Sequence, residues 1–248
     1  MVGFLTNRKS RYLSERLKKI VEGTLDPRDW QALCLGDVLA PDVIYLPIPK
    51  AANTSIRTAL KPCFGLGGID VMNIHQDDRL DKRSMKEALG ASKKNAFVFT
   101  VVRHPAERIY STFKNKLGWF EGRNRFKLKR RFGHATNIGI GRGASFETFL
   151  EGLCMCPDWA LDSHFKPQVG LLDYALSDPR LQVFKTEMIA ESWPDIALDI
   201  KRASGVAPDA VLGVLNRSKK PTHPFSSAER RMIDLLYEKD FERFGYNW

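Results

Sequence analysis

Apolar and polar positions along the chain alternate between helical and strand periods. Leu13, Leu17, Ile20 and Val21 form one stripe over residues 8–22, with Gly23 just past the end, which predicts an amphipathic helix covering a core. Val43 to Ile48 (VIYLPI) reads as the first strong strand. The polar turn after it leads into a helix that starts at Asn53 or Thr54 and stops before Pro62. Ile69 to Ile74 predicts a second short strand, and Asp81 to Leu89 a charged helix ending at Gly90. Ala96 to Val102 (AFVFTVV) is a continuous apolar run, the pattern of a strand buried on both faces. Pro105 suits the first position of the next helix, where a missing N–H costs nothing, and that helix is expected to run to about Leu117. Strand, turn and helix thus occur twice in succession, which implies a parallel sheet with helices on its faces.

The pattern breaks at residues 118–145, where a basic stretch (RNRFKLKRR, 123–131) precedes Gly133, Gly139, Gly141 and Gly143. This reads as a mobile insertion. GIGRG within it follows no strand of a βαβ unit, so it fits a flexible lid better than a dinucleotide fingerprint. Ser145 can cap a helix carrying Phe146, Phe149 and Leu150, Leu181 to Phe184 is a further strand, and Glu187 to Ser204 is helical with an interruption at Pro194. Ser226 to Glu238 predicts a last helix with Met232, Ile233, Leu235 and Leu236 inward, and the aromatic tail (Tyr237, Phe241, Phe244, Tyr246 and Trp248) reads as core packing.

Composition narrows the class. With 248 residues, 43% hydrophobic and 27% charged, the chain can bury a full core, and no linker divides it, so one domain over 1–248 is expected. No run of 18 apolar residues occurs, and the basic N-terminus lacks the apolar centre of a signal peptide, so no membrane span is expected. The spacing of Cys34, Cys63, Cys154 and Cys156 suits neither a zinc site nor an easy disulfide, which points to reduced thiols in a cytoplasm.

The net charge of +10 is concentrated. Residues 103–131 hold ten basic residues against Glu107 and Glu121, a local +8. Such a field attracts anionic ligands, among them nucleotides, sulfated or phosphorylated cofactors, acidic glycans and nucleic acid. In open α/β sheets ligands gather at the carboxyl ends of the strands. Two segments deliver polar residues there: PKAANTSIR, 49–57, and RHPAERIYS, 103–111. The first holds Lys50, Asn53, Thr54 and Ser55 at a helix N-terminus, a favourable place for an oxyanion. Physically it is P-loop-like, yet the GxxxxGK[ST] sequence is absent, and the bland alternative is an ordinary capped helix beside an exposed lysine.

PKAANTSIR after a strand, together with Arg103 and Ser111 eight residues later in VVRHPAERIYSTFKNK, resembles the two cofactor motifs of sulfotransferases that use 3′-phosphoadenosine 5′-phosphosulfate, in particular the carbohydrate branch, sulfotransferase family 2. DSHFKPQ (162–168), LQVFKTE (181–187), NRS (216–218) and YEKDFERFGY (237–246) extend the resemblance over about residues 43–248. It implies a P-loop-like three-layer α/β fold with a central, mostly parallel sheet flanked by helices. It also implies sulfuryl transfer from that cofactor to an acceptor hydroxyl, on a carbohydrate, by in-line displacement without a metal.

By this resemblance Lys50 would stabilise charge on the leaving phosphate, while Ala52, Asn53, Thr54 and Ser55 form the loop around the 5′-phosphosulfate. Arg103 and Ser111 would clamp the 3′-phosphate, with Arg217 and Ser218 closing over it beside Lys219 and Lys220. His75, directly after the Ile69 to Ile74 strand, is the choice for the general base, since an unperturbed pKa of about 6.5 suits proton removal near neutrality. His164 is the rival, placed with Arg108 on the acceptor side, with Asp77 and Asp78 behind it.

Lumenal members of that branch carry a membrane anchor and disulfides, which this chain lacks, so a soluble bacterial enzyme is expected. The competing readings are a P-loop-type kinase, for which a lysine after a glycine loop and an acidic magnesium ligand are missing, and a non-catalytic nucleic-acid binder driven by the basic segment.

Overall fold

The computed structural model describes residues 31–37, 39–66, 80–116, 144–156, 161, 163–213 and 223–248. The helix expected over 8–22, the Ile69 to Ile74 strand, and all of the basic and Gly-rich insertion except Ala144 and Ser145 lie outside them. Five strands form one sheet: β1 (Gln31–Gly36), β2 (Pro41–Leu46), β3 (Lys82–Ser84), β4 (Phe97–Val102) and β5 (Leu181–Lys185), in the order β3-β1-β2-β4-β5. β2, β4 and β5 pair in parallel, with Leu46 opposite Thr100 and Val102 opposite Lys185. β1 runs antiparallel to both of its neighbours, so the expected parallel sheet is mixed at one side.

Side-chain alternation assigns two cores. Leu33, Leu35, Val43, Tyr45, Phe97, Phe99 and Val101 pack on one face against Ile56 and Ala59 of α1 (Asn53–Ala59) and Trp193, Ile196 and Ile200 of α6 (Ile189–Ser204). Ala32, Cys34, Ile44, Leu46, Val98 and Val102 face the other way. They meet Ala88 and Leu89 of α2 (Met85–Ala91), Leu171 and Leu172 of α5 (Gln168–Leu172), and Phe244 of α7 (Ser227–Phe244). The result is the three-layer α/β fold, a mostly parallel sheet flanked by seven helices among the described residues. α3 (Pro105–Lys116) and α4 (Phe146–Cys154) join α7 in a third cluster, through Ile109, Phe149, Leu153, Ile233 and Tyr237. No described helix is long and apolar enough to cross a membrane.

Local chemistry explains where the elements differ from expectation. The charged segment at Asp81 opens not as helix but as β3, because the Ser84 hydroxyl accepts from Glu87 N–H while the Glu87 carboxylate accepts from Ser84 N–H. That reciprocal cap fixes the helix start at Met85. The first strong strand spans Pro41–Leu46 rather than reaching Ile48. α6 continues through Pro194 without a break. α7 runs past Glu238 to Phe244, with non-helical backbone at Tyr237 (φ −130°, ψ 18°). Its inward face is Ile233, Tyr237 and Phe244, whereas Leu235, expected inward, is 74% exposed. Trp248, expected in the core, is half exposed and donates its indole N–H to Asp234.

Candidate active site

The carboxyl ends of β2, β4 and β5 lie side by side, and the segments that follow them are stitched together. Thr186 donates its hydroxyl to the Val102 carbonyl (2.9 Å), and His104 N–H donates to Glu187 Oε1 (2.9 Å). After β2, Pro47 and Pro49 disfavour helical backbone at Leu46 and Ile48, and Ala51 N–H closes the turn onto the Ile48 carbonyl (3.3 Å). Lys50 (φ 67°) and Ala52 (φ 55°) then both adopt the left-handed conformation. Each costs about 1–2 kcal/mol for a residue with a Cβ, and such strain persists where surrounding contacts impose it.

Those contacts are two arginines. Arg108 Nε donates to the Pro49 carbonyl (3.1 Å), and Arg103 Nη1 donates to the Lys50 carbonyl (3.3 Å). Ala51 between the two strained residues is fully buried. The turn therefore enters α1 with no capping side chain at Ala52, and the first helical hydrogen bond is Ile56 N–H to Ala52 O (3.0 Å). The amides of Asn53, Thr54 and Ser55 precede the helix's own ladder, and Lys50, Ala52, Asn53, Thr54 and Ser55 are all half-buried along one turn.

Arg57, a residue the sequence reading left without a role, orients Asn53. Its Nε donates to Asn53 Oδ1 (2.8 Å), and because a guanidinium only donates, the Asn53 amide nitrogen is turned away from it, as a donor. The i, i+4 spacing was the available signal. Arg57 is 7% exposed, and its burial lowers its pKa.

After β4, Arg103 is half-buried, with Nη2 3.4 Å from the Glu107 carboxylate one turn into α3. Ser111 lies further along α3, about two turns from Arg103, and is half-buried. His104 serves the turn: its main-chain oxygen accepts the first helical bond from Arg108, its Nε2 lies 2.9 Å from the Asn247 carbonyl, and its ring meets Phe241, Tyr246 and Trp248 edge-on.

Arg108, expected on the acceptor side, is 1% exposed. Its guanidinium donates to the carbonyls of Pro49, Lys166 (2.8 Å) and Ser163 (3.2 Å), so it braces the site from behind instead of meeting an acceptor. Burial lowers its pKa. His164 is half-buried, and its carbonyl lies 3.5 Å from the Thr112 hydroxyl, which donates to the Arg108 carbonyl (3.0 Å). The structure thus brings Lys50, Ala52, Asn53, Thr54, Ser55 and Arg103 to one edge. His75, Arg217 and Ser218 lie outside the described residues, as do Asp77, Asp78, Lys219 and Lys220. Among the described residues no cluster of three or more His, Cys, Asp or Glu is arranged to hold a metal.

The Lys50 turn offers an ammonium and main-chain amides, and the Arg103 turn a guanidinium, since its own amides at Arg103 and His104 are taken by Gln168 and Glu187; two cationic turns suit a ligand carrying two separate anionic groups. A family model described as the sulfotransferase family matches residues 40–247. No curated protein matches the chain.

Proposed function

The chain belongs to the sulfotransferase family, and from that premise we propose that it transfers a sulfuryl group from 3′-phosphoadenosine 5′-phosphosulfate to a carbohydrate hydroxyl. The observation that carries the reading is the Arg103 Nη1 contact with the Lys50 carbonyl, which ties the two anion-binding turns together. When bound, the cofactor supplies an activated sulfuryl group on a phosphate leaving group. The residues of this chain then position groups and stabilise charge.

Lys50 brings an ammonium to the left-handed turn, where negative charge on the departing phosphate would grow. The loop from Ala52 to Ser55 supplies amide and hydroxyl donors, and the Asn53 amide is already aimed by Arg57. Arg103 and Ser111, from one strand end and one helix, hold the 3′-phosphate, with Arg217 and Ser218 as further ligands. His75 takes the proton from the acceptor hydroxyl, and His164 is the alternative. In-line transfer follows from fixing both reactants rather than from covalent catalysis, and no metal is assigned a part.

The acceptor we infer is an acidic or already sulfated saccharide, supported by the basic segment 123–131. A cytoplasmic location belongs to the same reading, supported by cysteine spacing that suits reduced thiols. The test is acceptor-dependent transfer of radiolabelled sulfate from the cofactor to a panel of neutral, acidic and sulfated saccharides and of non-carbohydrate alcohols and phenols. Labelled saccharide with equimolar release of 3′,5′-adenosine bisphosphate is expected. Transfer to non-carbohydrate hydroxyls alone would overturn the acceptor assignment, and no transfer to any hydroxyl would overturn the reaction.

A further inference from the structure

The segment from Ser163 to Gln168 bears no regular structure up to Pro167, yet most of its main-chain oxygens are taken. Arg108 Nη2 donates to Ser163 O (3.2 Å), Tyr237 to Phe165 O (2.7 Å) and Arg108 Nη1 to Lys166 O (2.8 Å). An irregular segment fixed at three carbonyls within four residues has little freedom to slide. It delivers Gln168, which is fully buried, to the end of β4.

There Gln168 makes two bonds to one residue. Its Oε1 accepts from Arg103 N–H (2.9 Å), and its Nε2 donates to the Arg103 carbonyl (2.8 Å). The pairing itself fixes which end of the amide is which. Arg103 stands one residue past the last β4–β5 pair, Val102 with Lys185, so its main chain has left the ladder. The Gln168 side chain reproduces the two-bond exchange that a neighbouring strand would have provided. The amide is held in turn by Asp240 of α7, fully buried. Its Oδ2 accepts from Gln168 N–H (2.8 Å) and Nε2 (3.3 Å), and its Oδ1 accepts from Val169 N–H (2.8 Å). Burial pushes the Asp240 carboxyl up, while these donors and the buried Arg108 cation pull it back.

We infer that Gln168 is a positioning residue for Arg103, aligned by Asp240, and that it sets the selectivity of the site for a ligand bearing a 3′-phosphate. The inference rests on the reading of Arg103 as the 3′-phosphate ligand. Anion recognition by a guanidinium fork depends on its angle, and the backbone that Gln168 grips is the base from which that fork projects.

The test compares the binding of 3′,5′-adenosine bisphosphate and of adenosine 5′-phosphate to the parent, Gln168→Met and Gln168→Glu, with the unfolding midpoint of each recorded. Gln168→Met keeps the volume and removes both bonds. It is expected to lower bisphosphate affinity tenfold or more while leaving the monophosphate affinity within about twofold. Gln168→Glu can make both bonds only when protonated, so its 3′-phosphate selectivity is expected to recover relative to the parent as pH is lowered from 8 to 5.5. If Gln168→Met does not fold, that pH profile carries the test. Retained selectivity in both variants, or equal weakening of both ligands, would overturn the inference. A parent that does not distinguish the two ligands would instead overturn the cofactor reading, and this inference with it.

Discussion

Arg103 donates through Nη1 to the main-chain oxygen of Lys50, 3.3 Å away across the edge of the sheet. One arginine therefore touches both turns: its side chain supports the strained Lys50 backbone, and its position marks the entrance to α3 and Ser111. Arg103→Ala should accordingly do two things. It should lower 3′,5′-adenosine bisphosphate affinity by about tenfold or more relative to adenosine 5′-phosphate, and it should lower kcat through loss of the Lys50 support. Calorimetry and initial rates separate the two effects, and unchanged discrimination between the ligands would refute the assignment.

Lys50→Ala should reduce turnover by about 100-fold or more, with a much smaller loss of bisphosphate affinity. A contact that strengthens as charge develops on the leaving group acts on kcat more than on binding. Equal turnover to the parent, measured at saturating cofactor, would remove Lys50 from the chemistry.

Ala52 occupies φ 55° without a glycine's freedom. Ala52→Gly should raise stability by about 0.5–1 kcal/mol, the strain relieved less the added entropy of the unfolded chain. Denaturant unfolding measures it, and a loss of stability would show that the left-handed turn is not strained.

Arg108 holds Pro49, Ser163 and Lys166 together from inside the molecule. Arg108→Met should destabilise by about 3–5 kcal/mol, because it strands three carbonyls and removes the cation facing the buried Asp240. Arg108→Lys should recover only part of this, since an ammonium cannot present the planar fork. Urea unfolding of the two variants checks the order.

What could be read from the sequence was what depends on neighbours along the chain. The unbroken apolar run of β4, Pro105 at a helix start and Ser145 as a cap all declare themselves locally, and each stands where expected. β3 did not, because two basic residues and a serine at a sheet edge carry no period. β1 was also missed: six residues with a cysteine at the centre and a glycine at the end give too short an alternation to separate from a loop. Leu235 stands two residues from the buried Ile233, about 200° around the helix, so the helical period itself turns it to solvent. At the candidate site, the place of Lys50, Asn53, Thr54, Ser55 and Arg103 just past strand ends was legible in the sequence. The brace behind them was not. Gln168 grips a residue 65 positions away and Asp240 grips Gln168 across 72, and only the tertiary fold brings those side chains together.

The measurement closest to the central claim is the binding of 3′,5′-adenosine bisphosphate against ADP and AMP by calorimetry, without magnesium. Two cationic turns linked through Arg103 and Lys50 predict strong preference for the bisphosphate, present without metal and lost in Arg103→Ala. Preference for ADP, or equal binding of all three, would contradict it.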